Sequence, residues 1–215
     1  MRSLELCDVN MSLTDDMLSS ISRMSCLMHS GLGIEPGADS ELDLESISPL
    51  PLKLQKLALT GKLARGKVPS WFCSLTSLVQ LRLCGSHIAQ DSLVLLAALP
   101  RLVNLSIVTA YHEKNMIFAQ GSFPKLQKLT LEDLPNLNHI DFKEGCLVNL
   151  RDLVLGFCSQ LTQTPQGMES RAYAELGIVW NAKRVYKLKE QNGGDAAYHN
   201  PATSDFYQAP RFLRL

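Results

Sequence analysis

Three carboxylates at alternate positions, Glu41, Asp43 and Glu45, are the densest grouping of hard oxygen donors in this chain. Such donors suit calcium or magnesium. Here they read as the solvated face of a short helix, capped by Asp39 or Ser40 and carrying Leu42, Leu44 and Ile47 inward. The other reactive types are scattered. His112-Glu113 is not followed by the second histidine of a zinc-protease helix, and His29, His87, His139 and His199 stand apart in the sequence. Cys7, Cys26, Cys73, Cys84, Cys146 and Cys158 contain no CxxC pair and no zinc spacing. The Gly-Lys pair at Gly61 lacks the upstream glycine of a phosphate-cradling loop, and the pair at Gly66, which has one in Gly61, is followed by Val68 where that loop needs Ser or Thr. No serine or cysteine has a nucleophile-elbow context. The expectation is a protein that is not an enzyme, with no cofactor and no metal.

What organises the chain is a phrase written four times. It reads LTSLVQLRL at Leu75, LPRLVNLSI at Leu99, FPKLQKLTL at Phe123 and LVNLRDLVL at Leu147, each copy 24 residues after the last. Apolar residues recur at the first position and then three, six and eight further on. The last two of each set are two apart, so they share one face of a strand, and their neighbours face the other way. One such unit cannot bury its leucines alone, whereas stacked units cover one another. The period and the LxxLxL core predict an α/β leucine-rich-repeat solenoid. It should be curved, with a parallel sheet on the concave side and short helices and loops on the convex side.

About seven repeats are expected over residues 1–162. Met1, Leu4 and Leu6 occupy core positions of the first; no polar cap precedes them, so either a fragment of a longer receptor is expected or an N-terminal partner that has been lost or sits on another chain. Thr14 caps a helix carrying Met17, Leu18, Ile21 and Met24. His29, Leu32 and Ile34 are the expected core of a weak second strand, followed by a loop over 34–40. Leu54, Leu57 and Leu59 form the third. A proline-led stretch, Gly66 to Leu75, enters the fourth repeat, and a helix between Asp91 and Leu99 covers the fifth. Thr109 to Gly121 is the most polar connection and reads as an exposed loop. Cys158 falls where a side chain bonds the turning backbone. Val9, Gly37, Lys62, Ser86, Ala110 and Leu134 fall there in the other repeats, which predicts irregular turns satisfied in different ways. Residues 163–215 are atypical: a degenerate strand through Tyr173, Leu176 and Ile178, a basic helix over 180–191, and an unfolded tail from Asp195.

Lysine plus arginine equals aspartate plus glutamate, 21 each, which offers no nucleic-acid surface. The basic helix reads as a cap on the core, so a membrane partner is not expected. Scattered thiols and an N-terminus without signal character point to a cytoplasmic protein. The sequons at Asn10 and Asn104 carry no weight without export.

The phrases LQKLALTGKL, VPSWFCSLTSLVQLRLCGS, FPKLQKLTLEDLPNLNHI and LVNLRDLVLGFCSQLTQTPQGM resemble the C-terminal leucine-rich repeats of plant nucleotide-binding disease-resistance proteins, the coiled-coil class of cereals above all. The likeness covers Met1 to about Met168. It implies a module of innate immunity that senses a pathogen effector or holds a nucleotide switch off, here without the nucleotide-binding domain. Two other readings are an extracellular-type receptor repeat, which should show NxLxGxIP phrases, and a substrate adaptor, which needs a docking domain. The partner is expected to be a protein, met by outward-facing columns on the concave sheet. One column is Ser3, Gly31, Lys56, Gln80, Asn104, Lys128, Asp152; the next is Glu5, Gly33, Ala58, Arg82, Ser106, Thr130, Val154. The candidate binding residues are Lys56, Gln80, Arg82, Asn104, Lys128, Thr130 and Asp152.

Overall fold

In the computed structural model, all four leucine phrases end in strands, and their sixteen apolar positions are buried, none more than 7% exposed. The structure describes residues 2–9, 24, 26–34, 41–45, 52–167 and 177–180. Strands β1 (Ser3–Val9), β2 (His29–Ile34), β3 (Lys56–Thr60), β4 (Gln80–Cys84) and β5 (Asn104–Val108) are followed by β6 (Asn115–Phe118) and β7 (Lys128–Glu132). Then come β8 (His139–Phe142), β9 (Asp152–Gly156) and β10 (Gly177–Trp180). All strands but β6 and β8 form one parallel sheet in the order β1-β2-β3-β4-β5-β7-β9-β10. Within it Lys56, Gln80, Asn104, Lys128 and Asp152 pair successively without slip.

The sheet is sewn by a repeating bond. Val79 and Gln80 N–H both donate to the carbonyl of Gln55, at 2.8 and 3.0 Å. Val103 and Asn104 do the same to Val79, Gln127 and Lys128 to Val103, and Arg151 and Asp152 to Gln127. Strands β3, β4, β5, β7 and β9 are each followed by a residue of positive φ at the same place: Gly61, Gly85, Thr109, Asp133 and Phe157, with φ of 115, 62, 51, 52 and 52°. The N–H groups of Gly61, Gly85, Thr109 and Asp133 donate to the last carbonyl of the next strand at 2.9–3.0 Å. The turns are therefore uniform in backbone, contrary to the irregularity expected from their side chains. Stacking imposes one path, because each turn must offer its N–H to the next repeat. At the following position side chains do differ. Cys158 Sγ donates to the carbonyl of Gly156 (3.3 Å), and Ser86 Oγ to that of Cys84 (3.4 Å).

Across the core from this sheet the covering changes along the chain. Behind the middle repeats lie a 3-10 turn (Ser70–Ser74) and helix α1 (Gln90–Ala97), which buries Leu93 and Leu96. The expected helix thus runs one residue earlier and ends two sooner. Further on, the covering is a second, two-stranded parallel sheet, β6 with β8. Thr109–Gly121 is therefore no exposed loop. Its Met116 and Phe118 alternate with Asn115 and Ile117, and Ala110, Tyr111, Met116 and Phe118 are at most 1% exposed. Phe118 packs on Phe123 (5.8 Å between ring centroids) and Phe142 (5.1 Å). A bridge from Asp141 to Gln166 extends this sheet, and Gly167 (φ 82°) follows where a Cβ would strike the Phe142 carbonyl.

Three more expectations are corrected. β2 is registered with Ser30 opposite Leu57 and Leu32 opposite Leu59, so its core positions are Leu27, Ser30 and Leu32, with His29 facing outward. A serine in a leucine position hid this register. Residues 41–45 are not helical: Leu42 bridges Leu63, and Leu42 and Leu44 are both buried. In β10, Ile178 pairs with Leu153 and Trp180 with Leu155, two residues off the expected alignment, and Trp180 ends a strand rather than opening a helix. Apart from Met24, the helix through Met17 lies outside the described residues, as do the 34–40 loop beyond Ile34, the basic helix beyond Trp180 and the tail.

Candidate functional site

The outward face of the main sheet carries three rows, because each five-residue strand turns its first, third and fifth side chains away from the core. The first row is His29, Lys56, Gln80, Asn104, Lys128 and Asp152. The second is Gly31, Ala58, Arg82, Ser106, Thr130 and Val154. Ser3 stands beside His29, not Gly31, and Glu5 beside Gly31, not Gly33, following the corrected register of β2. All seven candidate residues thus lie on one face. Lys56, Gln80, Arg82 and Asp152 are exposed; Asn104, Lys128 and Thr130 are half-buried.

The candidates are adjacent to different degrees. Lys128 stands next to Asp152 in register, and Gln80 next to both Lys56 and Asn104. Lys56 and Lys128 are three strands apart, about 14 Å. Arg82 lies one row over, between Ala58 and Ser106, and Thr130 lies between Ser106 and Val154. The positive stripe is therefore three separated cations among amides and hydroxyls. A third row was missed: Thr60, Cys84, Val108, Glu132 and Gly156. Its signal is the same alternation carried two residues past the second core leucine. It adds a carboxylate, Glu132, whose side chain leans within 3.2 Å of where a Cβ on Gly156 would sit.

The groups that looked capable of metal chemistry have other work. Glu41 pairs with Lys62 Nζ at 2.7 Å and accepts the Arg65 N–H at 3.1 Å. The Lys62 and Arg65 bonds hold its carboxyl below the usual range. Glu45 accepts both the N–H and the hydroxyl of Ser70, at 3.0 and 3.1 Å. These acids stitch one repeat to the next. Among the described residues no three His, Cys, Asp or Glu side chains are grouped to hold a metal. The histidines are not all isolated, however. His87 and His112 stack across neighbouring repeats with ring centroids 3.7 Å apart, a pairing invisible at 25 residues' separation. Partial burial, then His112 and Lys62, push the His87 pKa below its ordinary value, against a smaller pull from Glu41. Tyr111 is pushed up, chiefly by burial; its hydroxyl donates to the carbonyl of Asn115 and to Gln90 Oε1. No helix among the described residues is long and apolar enough to cross a membrane.

The chain resembles curated plant proteins over most of this solenoid. It is 37% identical over 159 residues to "Disease resistance protein RPM1" of Arabidopsis thaliana, covering 72% of this chain and 17% of that protein. It is 26% identical over 139 residues to "Disease resistance RPP8-like protein 3" of the same plant, covering 64% and 15%. "Disease resistance protein RPP8" is 24% identical over 148 residues, covering 68% and 16%. The chain therefore spans about a sixth of the length of these relatives. No solved structure matches it. The family model described as "Leucine-rich repeat region" matches residues 1–180, the same span over which the strands stack, and the chain belongs to that family.

Proposed function

We propose that this chain is a non-catalytic protein-recognition module of a plant immune receptor, acting in the cytoplasm, and that its outward sheet face is where the partner sits. The observation that carries the reading is the unbroken register of five strands, which makes one continuous surface from Lys56 to Asp152. Extended faces of this kind are what solenoids offer to partners. The likeness to disease-resistance proteins supplies the setting. The partner is a protein: a pathogen effector, or the nucleotide-binding domain of a receptor, which the module would hold in its resting state. Lys56, Arg82 and Lys128 would meet carboxylates on it, while Gln80, Asn104 and Thr130 supply adaptable hydrogen bonds and Asp152 sets a polarity. Such charges govern encounter rate and specificity more than affinity.

The test is Arg82→Glu with Lys128→Glu in the full chain, assayed by co-precipitation with a receptor nucleotide-binding domain supplied as a separate chain. Neither residue is a core position, so the melt should be nearly unchanged while binding is lost. Unaltered binding with an unaltered melt would remove the outward face as the site.

A further inference from the structure

Where the strands begin, charge is segregated in a way the neutral composition conceals. The four residues before β3, β4, β5, β7 and β9 are LKLQ, TSLV, PRLV, PKLQ and VNLR. Because the strands are parallel and in register, these five segments line one rim of the sheet. They contain four cations, Lys53, Arg101, Lys125 and Arg151, and no carboxylate. All four cations are exposed, and among the described residues no ion pair neutralises them. Each segment opens with a turn, and the two end turns carry apolar tips, Leu52 at 53% and Val148 at 54% exposure. Pro100 and Pro124, also exposed, stand at the same turn position between them. At the other rim the turns mix both signs: Lys62 and Arg65 with Glu113 and Asp133.

We infer that the rim where the strands begin seats the solenoid on an anionic lipid bilayer. Cations on four of five successive repeats along an edge match a planar negative surface, which attracts each of them within a Debye length. Exposed apolar tips at the two ends of this row can enter the headgroup boundary while the cations stay with the phosphates. The tips at Leu52 and Val148 lie four strands apart, about 19 Å, so they frame no common pocket for a protein anchor. The uneven charge of the two rims orients the molecule on such a surface. That orientation leaves the outward sheet face open to a protein partner. The inference is independent of the basic helix over 180–191 and of the proposed binding face.

Co-sedimentation of the full chain with vesicles tests it, using phosphatidylcholine alone and an equal mixture with phosphatidylserine. The wild type should bind the mixed vesicles, less so as salt rises, and not the neutral ones. Lys53→Glu with Lys125→Glu should weaken that binding by at least about tenfold. Lys67→Glu with Lys114→Glu makes the same change in net charge away from the rim and should not. Failure to bind mixed vesicles would overturn the inference, as would an equal loss in both double variants. Retention on immobilised polyglutamate without vesicle binding would overturn it in favour of an acidic protein. Leu52→Ser with Val148→Ser should remove the binding that survives raised salt; if that binding persists, the tips do not enter the bilayer.

Discussion

The side-chain amide of Gln90 pairs with the backbone of Ile117 as another strand would. Its Nε2 donates to the Ile117 carbonyl at 2.6 Å, and its Oε1 accepts the Ile117 N–H at 3.0 Å. Tyr111 donates to the same oxygen at 3.0 Å. Gln90 opens α1 and β6 opens the second sheet, so this one side chain closes the sheet's edge where helix gives way to strand. Edges left unpaired invite association.

Gln90→Ala should therefore cost about 1 kcal/mol, the net worth of bonds that water can partly replace. Gln90→Glu should cost at least as much, since a carboxylate would face the Ile117 carbonyl with nothing to donate. Urea denaturation of the two variants checks both; a change below experimental error in each would show that the edge is closed by other means.

The left-handed turn residues should respond oppositely to glycine and alanine. Phe157 is 61% exposed at φ 52°, so Phe157→Gly relieves strain without removing buried surface and should leave stability unchanged or raise it by about 0.5 kcal/mol. Gly85→Ala should lower stability by about 1 kcal/mol, although a Cβ there has room, because the cost is conformational. Thermal melts showing both variants destabilised alike would contradict a backbone origin.

Ser30 takes a leucine's place in β2. Its hydroxyl is buried and has no hydrogen-bond partner among the described residues. Ser30→Ala should raise stability by about 1 kcal/mol by removing an unsatisfied polar group. A drop in the denaturation midpoint would reveal a bond that the hydroxyl makes.

Stability should also fall with acid through the histidine pair. The His87 pKa is lower folded than unfolded, so the unfolded chain binds more protons, and stability rises with pH across that interval. The contribution is complete above about pH 6.5, the unfolded value, and is lost as pH falls from there through the folded pKa. Replacing His112 with Asn removes a like charge and should flatten this part of the profile. An identical profile in the variant would exclude the pair as its source.

The sequence by itself determined the repeat, the inward leucines and the face on which Lys56, Gln80, Arg82, Asn104, Lys128, Thr130 and Asp152 lie. It could do so because alternation along a strand is a local property, and a 24-residue period repeats that property without ambiguity. It failed where a residue's partner lies in the next repeat. Ser30 concealed the register of β2, which Leu57 and Leu59 of the neighbouring strand define. Met116 and Phe118 looked like part of a polar loop until Ile140 was paired with the first and Phe123 and Phe142 were packed on the second. Thr109 and Asp133 share no side-chain chemistry, yet adopt one left-handed backbone because each must reach the next strand's carbonyl, and Phe157 takes the same φ at the turn after β9. The rim of Lys53, Arg101, Lys125 and Arg151 was likewise beyond one dimension. Along the chain cations and acids sum to zero. Only parallel stacking in register gathers the cations onto one edge, since it brings residues 24 apart to within about 5 Å.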